Sequence, residues 1–176
     1  MPACCSPAAD RGTLSRHRIF PHTDSNRSDM KFSEFQAGMV IKHPPVVVDE
    51  QEMLGFARDY DPQWFHTDVQ RAGQSRWGGL IASGWLTCSL AMRMAVEAAL
   101  TDSESFGSPG VERLRWILPV RPGDAIRLEA TVNSVRTSSS RADLGIMRWT
   151  WQVFNQRDEQ VLELEATSLF DLGEQA

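Results

Sequence analysis

A chain of 176 residues is long enough for one domain with a substantial core and short for two ordinary ones. Its 23 acidic residues against 18 basic ones give a net charge of −5, which excludes a nucleic-acid surface built on bulk positive charge. The most hydrophobic stretch, 80–100, is broken by Arg93 and Glu97, so no apolar run approaches the roughly 20 residues needed to cross a bilayer.

Residues 1–29 are rich in Ser, Pro, Arg and Asp, without periodic apolar positions. They read as a disordered leader, because such a segment cannot bury enough surface to offset its ordering entropy. They also lack the apolar stretch of a secretory signal. A single folded domain is expected over 30–173, with 174–176 as a tail. Cys4 and Cys5 fall in the leader and Cys88 in a helical pattern, so the three cysteines form no disulfide framework and no metal-ligand spacing. This usage fits a reducing cytoplasm, and Cys88 reads as a small buried side chain.

In chain order, Val46 to Val48 suit a strand, and Asp49 to Tyr60 a helix with Asp49 as N-cap, Glu50 and Glu52 in the first turn, and Leu54 and Phe56 inward. Asp61-Pro62 stops that helix. A loop, 63–68, leads to a short helix over Val69 to Gly73, capped by Thr67 or Asp68. Ser83 is placed to cap a helix from Gly84 to about Leu100. Its apolar residues cover most of the circumference, which predicts a helix wrapped by other structure. After a polar loop, 101–110, the period changes to two. Four strands are expected: Val111–Leu118, Ala125–Val135, Gly145–Val153 and Val161–Phe170, separated by turn residues such as Pro122-Gly123-Asp124. The whole reads as an antiparallel meander following a buried helix, an α+β class domain.

Asp61 and His66 carry the candidate chemistry. Five residues apart around a Pro-containing bend, they can face one cavity, where an imidazole exchanges protons with a water held by the carboxylate. On spacing alone, a turn-starting aspartate and a locally bonded histidine are the stronger explanation. Asp59, two residues upstream, is a second candidate carboxylate. Gly84 either caps and packs its helix or presents free N–H groups and the positive end of the helix dipole to a substrate.

Phe56-Ala57, then Asp61, His66 and Asp68 in the pattern D-x4-H-x-D, then the run from Gly78-Gly79 through Ser83-Gly84 to Ser89 resemble the signature of MaoC-like dehydratases, the (R)-specific enoyl-CoA hydratase family of hotdog-fold proteins. The segment from Gly107 to Asp124 is similar to the family's strand-turn region, and the likeness spans about 32–171. It implies a sheet curled around a long central helix starting at Gly84, a homodimer or higher homo-oligomer, and an acyl-CoA or acyl carrier protein thioester held between subunits. Asp61 and His66 would activate water for addition across the double bond of a trans-2-enoyl thioester, or reverse it. Gly84 would supply oxyanion donors, and Ser89 would orient the catalytic carboxylate. Water is the co-substrate, with no cofactor and no metal. The chain departs from the family at Gln63 and Ser83, where many members carry Asn and His.

The remaining candidates have plainer readings. Asp68 is an N-cap and His43, before Pro44-Pro45, is structural. Trp64, Phe65, Trp77 and Trp85 line an acyl tunnel or pack the core, and Arg115 and Arg121 reach CoA phosphates or stand solvated. Two rival functions stand beside hydration. A hotdog thioesterase would use Glu97 on the central helix, although Arg93 at i−4 makes Glu97 an ion-pair partner. A non-catalytic acyl-thioester-binding module would keep the fold without turnover.

Overall fold

The period-two segments build one antiparallel sheet. In the computed structural model, which describes residues 30–173, its strands are β1 (Val40–Val47), β2 (Ser105–Trp116), β3 (Ala125–Thr137), β4 (Leu144–Phe154) and β5 (Gln160–Asp171), in the order β1-β3-β4-β5-β2. The leader, 1–29, and the tail, 174–176, lie outside the described residues.

Three strand expectations need correcting. β1 begins at Val40 rather than Val46 and contains Pro44-Pro45. It tolerates them because it is an edge strand whose ladder skips between His43 and Val46, so the missing N–H groups break no interior bond. β2 begins at Ser105, inside the segment read as a loop. Its Gly107, Pro109 and Gly110 are absorbed by register shifts against β5, with Gly110 at φ 142°. The meander comprises β3, β4 and β5 alone. β1 and β4 already occupy both sides of β3, so β2 crosses to the free side of β5.

Side chains alternate as the period demands. Ile126, Leu128, Ala130 and Val132 on β3 face inward with Met147, Trp149, Trp151 and Val153 on β4 and Leu162, Leu164 and Ala166 on β5. Against them lies α4 (Gly84–Ala95), called so because three helices precede it: α1 (Glu50–Tyr60), α2 (Trp64–Thr67) and α3 (Val69–Gly73). Leu86, Leu90, Ala91, Met94 and Ala95 of α4 are buried, each large apolar side chain contributing roughly 1.5–3 kcal/mol. The helical path continues to Leu100 as one widened turn of π type, Val96–Leu100. The expected wrapping is incomplete: Trp85, Ser89 and Met92 stay exposed, because the sheet of a single chain covers one side of α4. No helix among the described residues is long and apolar enough to cross a membrane.

The caps fall where the side chains predict. Asp49 accepts the Glu52 N–H at 2.9 Å and Asp68 the Arg71 N–H at 2.9 Å, which settles Asp68 over Thr67 as the cap of α3. The segment read as a loop before α3 contains α2, a single turn closed by the Asp68 N–H on the Trp64 carbonyl.

Candidate active site

Pro62 ends α1 and leaves Asp61 outside the helical region at φ −150° and ψ 66°, its N–H still bonded to the Ala57 carbonyl at 2.9 Å. The chain reverses at once, and the His66 N–H meets the Gln63 carbonyl at 2.9 Å, so α2 carries the imidazole back toward the end of α1. A third segment joins them. The Ile81 N–H bonds the Phe65 carbonyl at 3.3 Å, and the His66 ring bonds the Ile81 carbonyl through Nδ1 at 2.8 Å, which brings Ser83 alongside.

The pair is therefore formed: His66 Nε2 stands 3.2 Å from Asp61 Oδ2. A carbonyl can only accept, so the Nδ1 bond keeps a proton on that nitrogen and leaves Nε2 as the proton-exchanging atom. The Phe65 ring, 4.4 Å away and edge-on, packs against the imidazole, which is 5% exposed. Two donors hold the carboxylate: Gln63 Nε2 to Oδ1 at 2.8 Å and Ser83 Oγ to Oδ2 at 2.7 Å. Burial pushes the Asp61 carboxyl up, but the bonds from Gln63 and Ser83 and the His66 charge outweigh it, and the net shift is downward. The group is held ionised as an acceptor, its two oxygens not saturated by these partners.

Ser83 does a second thing. Its Oγ accepts the Trp85 N–H at 3.3 Å and caps α4, so the carboxylate is tethered to the helix's N-terminal end. The Gly84 N–H is among those no helical carbonyl can reach. Over Gly84 lies the Trp116 indole, whose Nε1 donates to the Gly84 carbonyl at 3.0 Å, and a Cβ at Gly84 would run into that ring. Close approach is thus what glycine serves here.

Ser89 does not reach the carboxylate. Its hydroxyl turns back to the Trp85 carbonyl at 2.9 Å on the exposed face of α4, the local bond open to any helical serine. Ser83 and Gln63 are the side chains that bond the carboxylate. Neither bond was assigned from sequence, and the signal lay in the two departures from the family pattern. Asp59 is exposed on the last turn of α1, and Asp61 faces the histidine instead.

The other candidates separate. Trp64, Phe65 and Trp77 pack near one another beside His66, with the Arg71 guanidinium 4.5 Å from the Trp64 ring centre. Trp85 alone of the four lines a cavity of about 330 Å³ between the outer face of α4 and strands β2, β4 and β5. Cys88 shares that wall, half-buried, and burial pushes its thiol up. Arg121 donates to the Trp77 carbonyl at 2.6 Å, while Arg115 is exposed on β2. His43 is bound on both nitrogens, to the Pro44 carbonyl at 2.7 Å and to Glu97 at 2.9 Å, and Glu97 also lies 4.0 Å from Arg93. Among the described residues no group of His, Cys, Asp and Glu is placed to hold a metal ion.

A central helix backed by a five-stranded antiparallel sheet, with an Asp–His pair at the helix N-terminus, defines a hotdog-fold protein of the hydratase and dehydratase kind. The chain belongs to the family described as the MaoC like domain, whose model matches residues 33–145. It is 29% identical over 140 residues to the uncharacterized protein YdeM of Bacillus subtilis (strain 168), spanning 80% of this chain and 98% of that one. Among solved structures, the MaoC-like dehydratase from Rhodospirillum rubrum is similar at TM-score 0.73 and 34% identity, over 79% of this chain and 94% of that one. The (R)-hydratase from A. caviae involved in PHA biosynthesis shares the fold at TM-score 0.64 and 24% identity, over 77% and 96%.

Proposed function

We propose that the protein adds water to the double bond of a trans-2-enoyl thioester, or runs the reverse dehydration, with Asp61 and His66 as its catalytic residues. The carrying observation is the 3.2 Å approach of His66 Nε2 to an Asp61 carboxylate that Ser83 ties to the start of α4. Water held between the two loses a proton to the pair as its oxygen bonds to C3. The electron pair of the double bond moves toward the thioester, and a proton delivered by the pair completes C2. Charge gathers on the thioester oxygen during this step. The free N–H at Gly84 and the positive end of the α4 dipole would stabilise that charge with the oxygen bound at the helix N-terminus. CoA or an acyl carrier protein carries the acyl group, and a second copy of the chain completes the site.

Incubation with crotonyl-CoA tests the reading. Loss of enone absorbance without free thiol is expected, falling by roughly 10²–10⁴-fold in Asp61→Asn and His66→Ala with the fold retained. Thiol release would instead mean hydrolysis, and turnover unchanged in both variants would refute the assignment. Hydrolysis through Glu97 is disfavoured, because that carboxylate is committed to His43 and Arg93.

A further inference from the structure

The inward row of the meander carries one hydroxyl, and two indole N–H groups, those of Trp149 and Trp151, that have no hydrogen-bond partner among the described residues. From Ile126 on β3 to Phe170 on β5, Ser168 is the single hydroxyl among the described residues that face the core, and it is 5% exposed. Binary patterning gives no reason for a polar side chain there. A buried hydroxyl is ordinarily bonded. No hydrogen bond to Ser168 Oγ is formed among the described residues, and the atom is not sealed in the core: its side chain lines the 330 Å³ cavity beside α4.

The backbone around Ser168 is arranged to keep it open. On one side it pairs with Met147 of β4, but on the other the β2 ladder skips from Gly107 to Gly110, so the flank of Ser168 meets a bulge. Bulges re-aim side chains and recur beside active sites. Ser108, within that bulge, also lines the cavity, yet its hydroxyl is spent on Gly110, at 3.1 Å to both the N–H and the carbonyl. Ser89 across the cavity is spent on Trp85. Of the three serines, Ser168 is the one whose hydroxyl proton is uncommitted.

The cavity begins where the proposed chemistry ends. Trp85, next to Gly84, stands at one end and Met92, seven residues on, at the other, about 10 Å of helix apart at 1.5 Å per residue. The walls are otherwise Val111, Leu114, Leu164 and similar groups with the Trp151 indole, whose N–H is buried without a partner, and no charged side chain lines them. Such walls accept an acyl chain and reject an ionised group, which would lie unpaired in an apolar site.

Resting on the hydratase reading, we infer that the acyl group this protein takes carries a neutral oxygen, a hydroxyl or ether several carbons from the thioester, and that Ser168 is the specificity-determining residue that hydrogen-bonds it. The general logic is that a site built to bond a substrate oxygen disfavours the analogue lacking it, since the site's own polar group is then left unpaired.

Two readouts separate this inference from the one beneath it. Binding is followed by the fluorescence of Trp85 and Trp151 with hexanoyl-CoA and its ω-hydroxy form, and with the eight-carbon pair, none of which can be hydrated. At one or both lengths the hydroxylated ligand should bind about tenfold more tightly, and Ser168→Ala should erase the difference while keeping alkyl binding. Ser168→Cys, close in volume and a weak donor, serves if the alanine variant unfolds. The same ratio should appear in kcat/KM for the corresponding trans-2-enoyl-CoA substrates. Equal affinity for hydroxylated and alkyl ligands at both lengths, or discrimination that survives Ser168→Ala, overturns the inference. Discrimination in binding with no loss of enone absorbance would sink hydration while leaving the role of Ser168 intact.

Discussion

Ser83 serves two structures with one hydroxyl, accepting the Trp85 N–H and donating to Asp61. Removing it should act on the chemistry through the carboxylate. The Ser83 bond lowers the Asp61 pKa, so Ser83→Ala raises it, and the acid limb of the kcat/KM profile should move to higher pH. Bonds to charged groups are worth about 1.5–3 kcal/mol, so kcat/KM at neutral pH should fall about tenfold or more. An acid limb that stays in place would mean that Asp61 does not set it. At this scale the sequence was half legible. Asp61 and His66 stood out because a carboxylate and an imidazole five residues apart around a proline share a bend. Ser83 could be read from its neighbours only as a cap, because the partner that gives it a second role lies 22 residues upstream and is reached through the Phe65–Ile81 and His66–Ile81 bonds. Ser89 was misplaced for the matching reason: on a helix its local bond to Trp85 competes with any distant one.

Elements were legible where a side chain closes its own boundary. Asp49 starts α1 and Asp68 starts α3 because each carboxylate satisfies an N–H three residues ahead, a relation wholly contained in local sequence. Losing such a cap costs about 1 kcal/mol. For a chain of this size, Asp49→Ala should therefore lower the thermal midpoint by about 2–4 °C. Hydration should be unaffected, since Asp49 lies at the far end of α1 from Asp61, and a calorimetric scan with a crotonyl-CoA assay on the same sample checks both. A midpoint that does not move would mean the cap bond adds nothing to stability. Boundaries fixed by distant pairing were not legible. β1 extends back to Val40 because β3 offers it a ladder up to Thr131, and β2 extends back to Ser105 because β5 runs on to Phe170. Prolines and glycines signal a loop to any local reading, whereas an edge strand with register shifts accepts them. The single turn of α2 leaves no mark in the pattern, because four residues carry too little periodicity to register.

At the scale of the molecule, β2 and the outer face of α4 pose one problem together. Among the described residues β2 ends the sheet with an unpaired edge, and Phe106 at 59% and Val111 at 52% exposure stand along it with Trp116, while Trp85 and Met92 stand out from α4. An open edge beside apolar side chains invites aggregation unless another chain covers it. A second copy resolves both features at once. A twofold axis beside β2 would pair the two edges antiparallel and set the two α4 faces near each other, the self-complementary contact expected of a homodimer. It would also roof the cavity beside Ser168 and exclude water from the space next to Gly84. Light scattering should accordingly give twice the chain mass of 19.8 kDa at micromolar concentration. Phe106→Glu, outside the cavity wall, places like charges across the shared edge, and should halve that mass and depress enone hydration together. Full activity in a monomeric variant would show that one chain holds the whole site, and a wild type that is already monomeric would remove the second copy from the mechanism.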